Sequence, residues 1–305
     1  MYLIDYFCNM DQVRPIVEID PSAGFCSGVK RAIESAEHLL AEAGDVFCLG
    51  EIVHNEAEMS RLKQRGLTAL DPDGLAAVQE GGHALIRAHG IPPSTYNVLE
   101  KKHVLITDAT CPVVLRLQQK VKKASEEMMA VGGSVVIYGK PGHAEVVGLL
   151  GNTQGNASVI HNLVELASID LMKPLRVFSQ TTADLAGYRE ICDAILSGTS
   201  GSVNPDVVIH QTICGQMSRR GPEIEKFARK HDVVIFVSGA DSSNGKYLSG
   251  ISKSVNPRTY LVSGNGMIEP DWLCNALSIG VSGATSTPVW LMQQVAAEIE
   301  KMIQC

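Results

Sequence analysis

Three cysteines of this 305-residue chain stand at equivalent places in its sequence pattern. Cys26 in GFCSGV, Cys111 in DATCP and Cys214 in QTICG each follow a short apolar run and precede an amphipathic one. A thiol between a strand end and a helix start lies near the positive end of the helix dipole, which favours the thiolate. Thiolates bind iron–sulfur clusters and zinc. A structural zinc site is usually built from four ligands in close pairs, and no CxxC pair occurs among the eight cysteines. Three thiolates without a fourth suit a [4Fe–4S] cluster with one iron left open as Lewis acid and electron donor. A zinc-stabilised structural protein stays open beside that reading. The other five read as packing or incidental: Cys48 inside an apolar run, Cys192 on a helix face, Cys274 near Trp272, and Cys8 and Cys305 near the ends.

Further chemistry-bearing residues share the same kind of place. His54 in EIVHN, His89 in RAHG, and His143 with Glu145 in GHAEV all fall just past apolar runs. A histidine after a strand is more often a loop or core residue than a ligand, but a donating imidazole there can hold a phosphate. Glu145 reads either as an acid favoured by a helix N-terminus or as a general acid needing an enclosed site and a raised pKa. Thr181 and Thr182 in SQTT read either as groups that position it or a water, or equally as ordinary strand-end residues. Ser242, Ser243 and Asn244 precede a helical pattern at 245–254, and Ser286 precedes Pro288. One Ser or Asn there is explained as an N-cap, while several together make an anion site of hydroxyls, amide and backbone N–H groups.

The elements that must position these residues alternate. Apolar runs rich in Val and Ile predict strands at 16–20, 46–50, 83–88, 104–109, 134–139, 175–179, 207–212, 232–239, 258–263 and 278–282. Helical periodicity predicts helices at 28–43, 55–65, 112–131, 184–196, 218–230 and 288–302, with loops at 151–157 and 196–204. Repeated β–α alternation implies an α/β fold of mainly parallel sheets, whose ligands bind beyond the carboxyl ends of strands.

Composition excludes several function classes. Net charge is −7, the pI is about 5.7 and no basic stripe occurs, so neither nucleic acid nor an anionic membrane surface is the expected partner. No run of 18 apolar residues predicts a membrane span, and MYLIDYFCNMDQ lacks the pattern of a signal peptide, so a cytoplasmic location is expected. Met1 and Met10 are both candidate starts. No GxxxxGK[ST] occurs, nor a GxGxxG after a strand, which removes support for nucleotide and dinucleotide binding.

Taken in order, GFCSGV, EIVHN, RAHG, DATCP, GHAEV, SQTT, the third cysteine, SSN and GATSTP resemble the 4-hydroxy-3-methylbut-2-enyl diphosphate reductases of the LytB type, over nearly the whole chain. The resemblance implies three α/β subdomains around a central cavity holding the cluster. Their expected limits are 16–111, 112–209 and 210–290, with a C-terminal helix at 291–305 and the N-terminal strand packing with the third. It implies one [4Fe–4S] cluster per subunit on Cys26, Cys111 and Cys214, with one open iron. His54, His89, Ser242, Ser243, Asn244 and Ser286 would bind the diphosphate. His143, Glu145 and Thr181 would face the substrate hydroxyl, with Glu145 delivering a proton. The products would be isopentenyl and dimethylallyl diphosphate, and a ferredoxin- or flavodoxin-type donor would supply electrons. One departure stands out: the run 215–220, GQMSRR, replaces the Thr-rich segment frequent after the third cysteine, and no binding role is carried onto it. The rival readings are a non-catalytic iron–sulfur sensing or binding protein and a non-redox diphosphate-binding enzyme.

Overall fold

The computed structural model describes residues 14–199, 206–240 and 242–304. In chain order the first stretch holds β1 (Ile16–Ile19), α1 (Ser27–Ala43), β2 (Val46–Leu49), α2 (Glu56–Lys63), β3 (Leu67–Leu70), β4 (His83–Ile86), α3 (Pro93–Lys101) and β5 (Leu105–Asp108). Next come α4 (Pro112–Ala130), β6 (Ser134–Tyr138), α5 (Ala144–Leu150), β7 (Ala157–Ile160), β8 (Leu175–Ser179), α6 (Leu185–Thr199) and β9 (Val207–Ile209). The last stretch holds α7 (Gly215–Ala228), β10 (Val233–Val237), α8 (Ser243–Val255), β11 (Thr259–Val262), β12 (Ser278–Gly283) and α9 (Val289–Met302).

The strands form three sheets of four, ordered β3-β2-β4-β5, β7-β6-β8-β9 and β11-β10-β12-β1, and all pairings are parallel. One topology recurs three times. Numbered in chain order, the sheets that begin with β2 and β6 both run 2-1-3-4, and the third runs the same way when its count starts at β10. In the last sheet the fourth place is taken by β1, which pairs with β12 from Ile16↔Ser278 to Ile19↔Val281.

Central strands are buried on both faces and therefore read as unbroken apolar runs. All five residues of β10, VVIFV, are buried. Val233, Ile235 and Val237 pack with α9 residues such as Val295, while Phe236 packs on the other side with Phe227 of α7 and Leu248 of α8. Edge strands carry weaker signals. The patterns of β3 (LTAL) and β7 (ASVI) are only partly buried, and both were absent from the sequence-based expectation, as was α3. The expected loop at 196–204 begins late, since α6 continues to Thr199, and residues 200–205 lie outside the described ones. The helix expected from 218 starts earlier, at Gly215.

By compactness the chain divides into two units. Met1–Lys30, Val53–Arg65 and Arg219–Cys305 make one, which holds the sheet of β1, β10, β11 and β12; Arg31–Ile52 and Gly66–Ser218 make the other, which holds the remaining two sheets. No described helix is long and apolar enough to cross a membrane.

Candidate active site

The recurring topology sorts the candidate residues by chemistry. In every sheet the cysteine follows the fourth strand: Cys111 after β5, Cys214 after β9 and Cys26 after β1. The polar candidates follow the first and third strands: His54 and His89 after β2 and β4, His143 and Thr181 after β6 and β8, Ser242 and Ser286 after β10 and β12. First and third strands are spatial neighbours with crossovers running to opposite sides, so each sheet presents a topological switch point there, the usual ligand crevice of an open α/β sheet.

All three cysteines stand at helix starts and are partly accessible. The carbonyls of Cys26, Cys111 and Cys214 accept the helical N–H groups of Lys30, Leu115 and Ser218 at 2.9, 2.9 and 3.1 Å. Each cysteine N–H is tied to a neighbouring strand-end segment: Cys26 donates to the Thr285 carbonyl at 3.3 Å, Cys111 to that of Ala88 at 3.0 Å, Cys214 to that of Thr181 at 2.8 Å. Such a thiol is backbone-fixed and open to a ligand. Cys48 contrasts with them. It is buried inside β2, and burial pushes its thiol up to about 12; burial likewise raises Cys192. These are packing residues, as expected. The donor chemistry of the accessible three fits an iron–sulfur cluster.

In the larger unit, β6 ends before His143, which caps α5 by accepting the Glu145 N–H on Nδ1 at 3.2 Å. The His143 ring meets that of His89 edge-on, 5.1 Å between centroids. Glu145 is 1% exposed and yet meets no cation among the described residues. Its Oε1 accepts the Thr181 N–H at 2.6 Å and its Oε2 accepts the Thr181 hydroxyl at 2.7 Å. Burial dominates these two bonds and pushes the carboxyl up to about 7. Thr181 thus grips both oxygens of Glu145 and, through its carbonyl, the backbone of Cys214. Thr182 turns away: its hydroxyl accepts from the Gln180 side chain at 2.8 Å.

In the other unit, Ser242 caps α8, its Oγ accepting the Gly245 N–H at 3.1 Å, and the same Oγ lies 3.1 Å from that of Ser286. Asn244 donates to Thr285 at 3.2 Å. Ser243 begins α8, but its side chain lies outside the described ones. The His54 carbonyl packs so closely on Gly239 that a Cβ there would lie 2.6 Å from it, and the Ala240 N–H donates to Glu56 at 3.1 Å. Ser242, Asn244 and Ser286 are therefore held together by neutral hydroxyl and amide contacts, and His54 is fixed beside the strand end that leads to them.

The whole-chain comparisons agree on one assignment. The family model for LytB protein matches residues 17–300. The chain belongs to the LytB family. It is 46% identical over 291 residues to the 4-hydroxy-3-methylbut-2-enyl diphosphate reductase of Porphyromonas gingivalis, covering 94% of this chain and 99% of the relative. It is 44% identical over 290 residues to that of Bacteroides thetaiotaomicron, with 94% and 99% covered. Two solved LytB-type structures share the fold. The E-1-hydroxy-2-methyl-but-2-enyl-4-diphosphate reductase of Plasmodium falciparum superposes with a TM-score of 0.80 at 26% identity, over 93% of this chain and 87% of that one. An (E)-4-hydroxy-3-methyl-but-2-enyl diphosphate reductase, the terminal enzyme of the non-mevalonate pathway, superposes at 0.72 and 34% identity, over 94% and 99%. LytB reductases are iron–sulfur enzymes, which agrees with the donor set here.

Several residues that build this LytB site were not singled out from sequence. Ser179 and Thr212 stitch the end of β8 to the segment before Cys214, with Ser179 N–H to Thr212 Oγ at 2.7 Å and Thr212 Oγ to Ser179 O at 2.9 Å. Thr285 receives both Asn244 and Cys26. Asp20, at the end of β1, is buried against Arg220. Their types are ordinary for strand ends and turns, so only the three-dimensional partners mark them.

Proposed function

We propose that this chain removes the hydroxyl of (E)-4-hydroxy-3-methylbut-2-enyl diphosphate, giving isopentenyl and dimethylallyl diphosphate as the last step of the non-mevalonate isoprenoid pathway. The observation that carries this reading beyond the relatives' names is the threefold sorting of residues, with a cysteine after each fourth strand and polar donors after each first and third. Cys26, Cys111 and Cys214 would hold one [4Fe–4S] cluster per subunit with one iron open. When bound, that cluster would supply two electrons, one at a time, and a Lewis-acidic iron. The overall balance is R–OH + 2 e⁻ + 2 H⁺ → R–H + H₂O. A ferredoxin- or flavodoxin-type protein would supply the electrons, and the cytoplasm is the proposed location.

The chain's own residues handle protons and binding. The Thr181 N–H can only donate, so Glu145 Oε1 stays an acceptor; when the acid is protonated its proton resides on Oε2, which then donates to the Thr181 Oγ in place of accepting from its hydroxyl. That proton is passed through the Thr181 hydroxyl to the departing oxygen, which leaves as water. A carboxyl pushed up to about 7 both holds and yields a proton near neutrality. His143 would face the substrate hydroxyl beside Glu145 and Thr181. His54, His89, Ser242, Ser243, Asn244 and Ser286 would bind the diphosphate, aided by the N-terminus of α8. Fixing the diphosphate with neutral donors orients the hydroxyl end.

An anaerobic assay tests the proposal. The protein is reconstituted with iron and sulfide and reduced by dithionite through a viologen, and loss of the diphosphate substrate is followed. Turnover is expected, and Cys26→Ser, Cys111→Ser and Cys214→Ser should each lose iron and turnover together while Cys274→Ser keeps both. A fully loaded protein without turnover would leave an iron–sulfur binding protein; turnover with divalent metal and no iron would mean a non-redox enzyme.

A further inference from the structure

The run where this chain departs from the family pattern ends in a buried charge. Arg220, in the second turn of α7, is 4% exposed, and Asp20, the residue after β1, is 3% exposed. Arg220 Nη2 donates to Asp20 Oδ2 and to the Gly283 carbonyl, both at 3.2 Å. Its Nη1 donates to the Ser22 hydroxyl and, at 3.3 Å, to Glu223. Asp20 Oδ1 accepts the Ser22 N–H at 2.9 Å and hydroxyl at 2.6 Å, and Oδ2 accepts the Ser282 hydroxyl at 2.7 Å. The Ser22 hydroxyl thus donates to Asp20 and accepts from Arg220, closing the turn that starts the segment to Cys26.

The far end of that segment is equally determined. Gly24 sits at φ +114°, and a Cβ there would lie 3.1 Å from Val289. Cys26 itself is tied to the Thr285 carbonyl. The six residues from Asp20 to Phe25 are therefore fixed at one end by a buried ion pair and at the other by a main-chain bond. A buried ion pair adds little net stability, because desolvation offsets its attraction, so the geometry it imposes is the better account of its presence.

We infer that Arg220 is a positioning residue for the Cys26 ligand: its pair with Asp20 holds the 20–25 segment so that Cys26 keeps its iron. This rests on the proposed role of Cys26. The test follows iron release from the reconstituted full-length protein to a ferrous chelator under anaerobic conditions, beside thermal unfolding. Arg220→Met should release iron at least tenfold faster than wild type. Arg220→Lys should recover part of the loss, a point charge replacing a fork. Ser22→Ala, which removes no charge, should be a few-fold faster. Leu99→Ala, in α3 and in a core cluster that includes no residue of the segment, should lower Tm yet release iron at the wild-type rate. The inference is overturned if loaded Arg220→Met releases iron as slowly as wild type, or if Leu99→Ala of matched Tm releases it as fast. Should Arg220→Met not fold, Ser22→Ala decides, a wild-type rate overturning the inference. Wild-type protein that takes up no iron defeats the ligand assignment itself.

Discussion

Two glutamates in this protein are equally buried and differently used. Glu58, in α2, is 1% exposed and sits against the Arg61 guanidinium, with the Trp290 indole N–H donating to it at 2.8 Å. Glu145, in α5, is also 1% exposed, and among the described residues its two oxygens meet only the N–H and hydroxyl of Thr181. A buried carboxylate beside a guanidinium has its charge answered. One answered only by neutral donors is left with most of its desolvation cost and takes up a proton instead, which is why Glu145 is pushed up to about 7. Depth alone does not keep a carboxyl protonated; depth without a cation does.

The largest effect expected from this contrast is on turnover. Glu145→Gln keeps the shape, the Thr181 N–H bond and the cysteines but has no proton to give, so kcat should fall about 10²- to 10⁴-fold with iron content unchanged. The same change at Glu58 should leave turnover per folded molecule within a few-fold. Anaerobic single-turnover kinetics on both variants measures the difference, and a Glu145→Gln enzyme near the wild-type rate would remove the proton-donor role.

Stability against pH should separate the two next. Unfolded Glu145 loses its proton near 4.5, while in the folded protein it holds it to about 7. Between those values the folded state binds more protons, so its stabilising contribution is complete below 4.5 and declines as pH rises through 7. The loss is about 3 kcal/mol relative to Glu145→Gln. Urea unfolding of wild type and variant at pH 5 and pH 8 tests this, and parallel pH dependence in both would contradict it. Glu58→Gln should instead cost about 1–3 kcal/mol, because it leaves Arg61 and Trp290 with a weaker acceptor.

How far the contrast was legible beforehand follows from what decides it. The motif GHAEV placed Glu145 past a strand, and its two readings, helix-end acid or enclosed acid, were both visible in sequence. The structure shows both at once: Glu145 lies in the first turn of α5 and is enclosed. The strands with both faces covered, such as β10, were equally legible, because burial on two sides imposes an unbroken apolar run. Edge strands β3 and β7 were not, since a half-exposed four-residue strand needs no such run. Nor were the partners of Arg220 and Glu58, which lie about 200 residues away at Asp20 and 232 away at Trp290. Periodicity reports which face of an element is buried, not which charge meets it there.

The smallest predicted effect is also the most diagnostic of the Thr181 grip. Thr181→Val removes the hydroxyl that favours the carboxylate form while leaving the N–H bond to Oε1. Burial is unchanged, so the Glu145 carboxyl should rise further, moving the alkaline fall in kcat to higher pH by less than about one unit, because a single hydrogen bond is worth about 1 kcal/mol. If Thr181 also passes the proton on, kcat should drop about tenfold at every pH in addition. Thr181→Ser keeps the hydroxyl and should restore both. A shifted limb with an undiminished plateau would reduce Thr181 to an orienting residue, and an unmoved limb would mean that the hydroxyl does not reach Glu145 in solution.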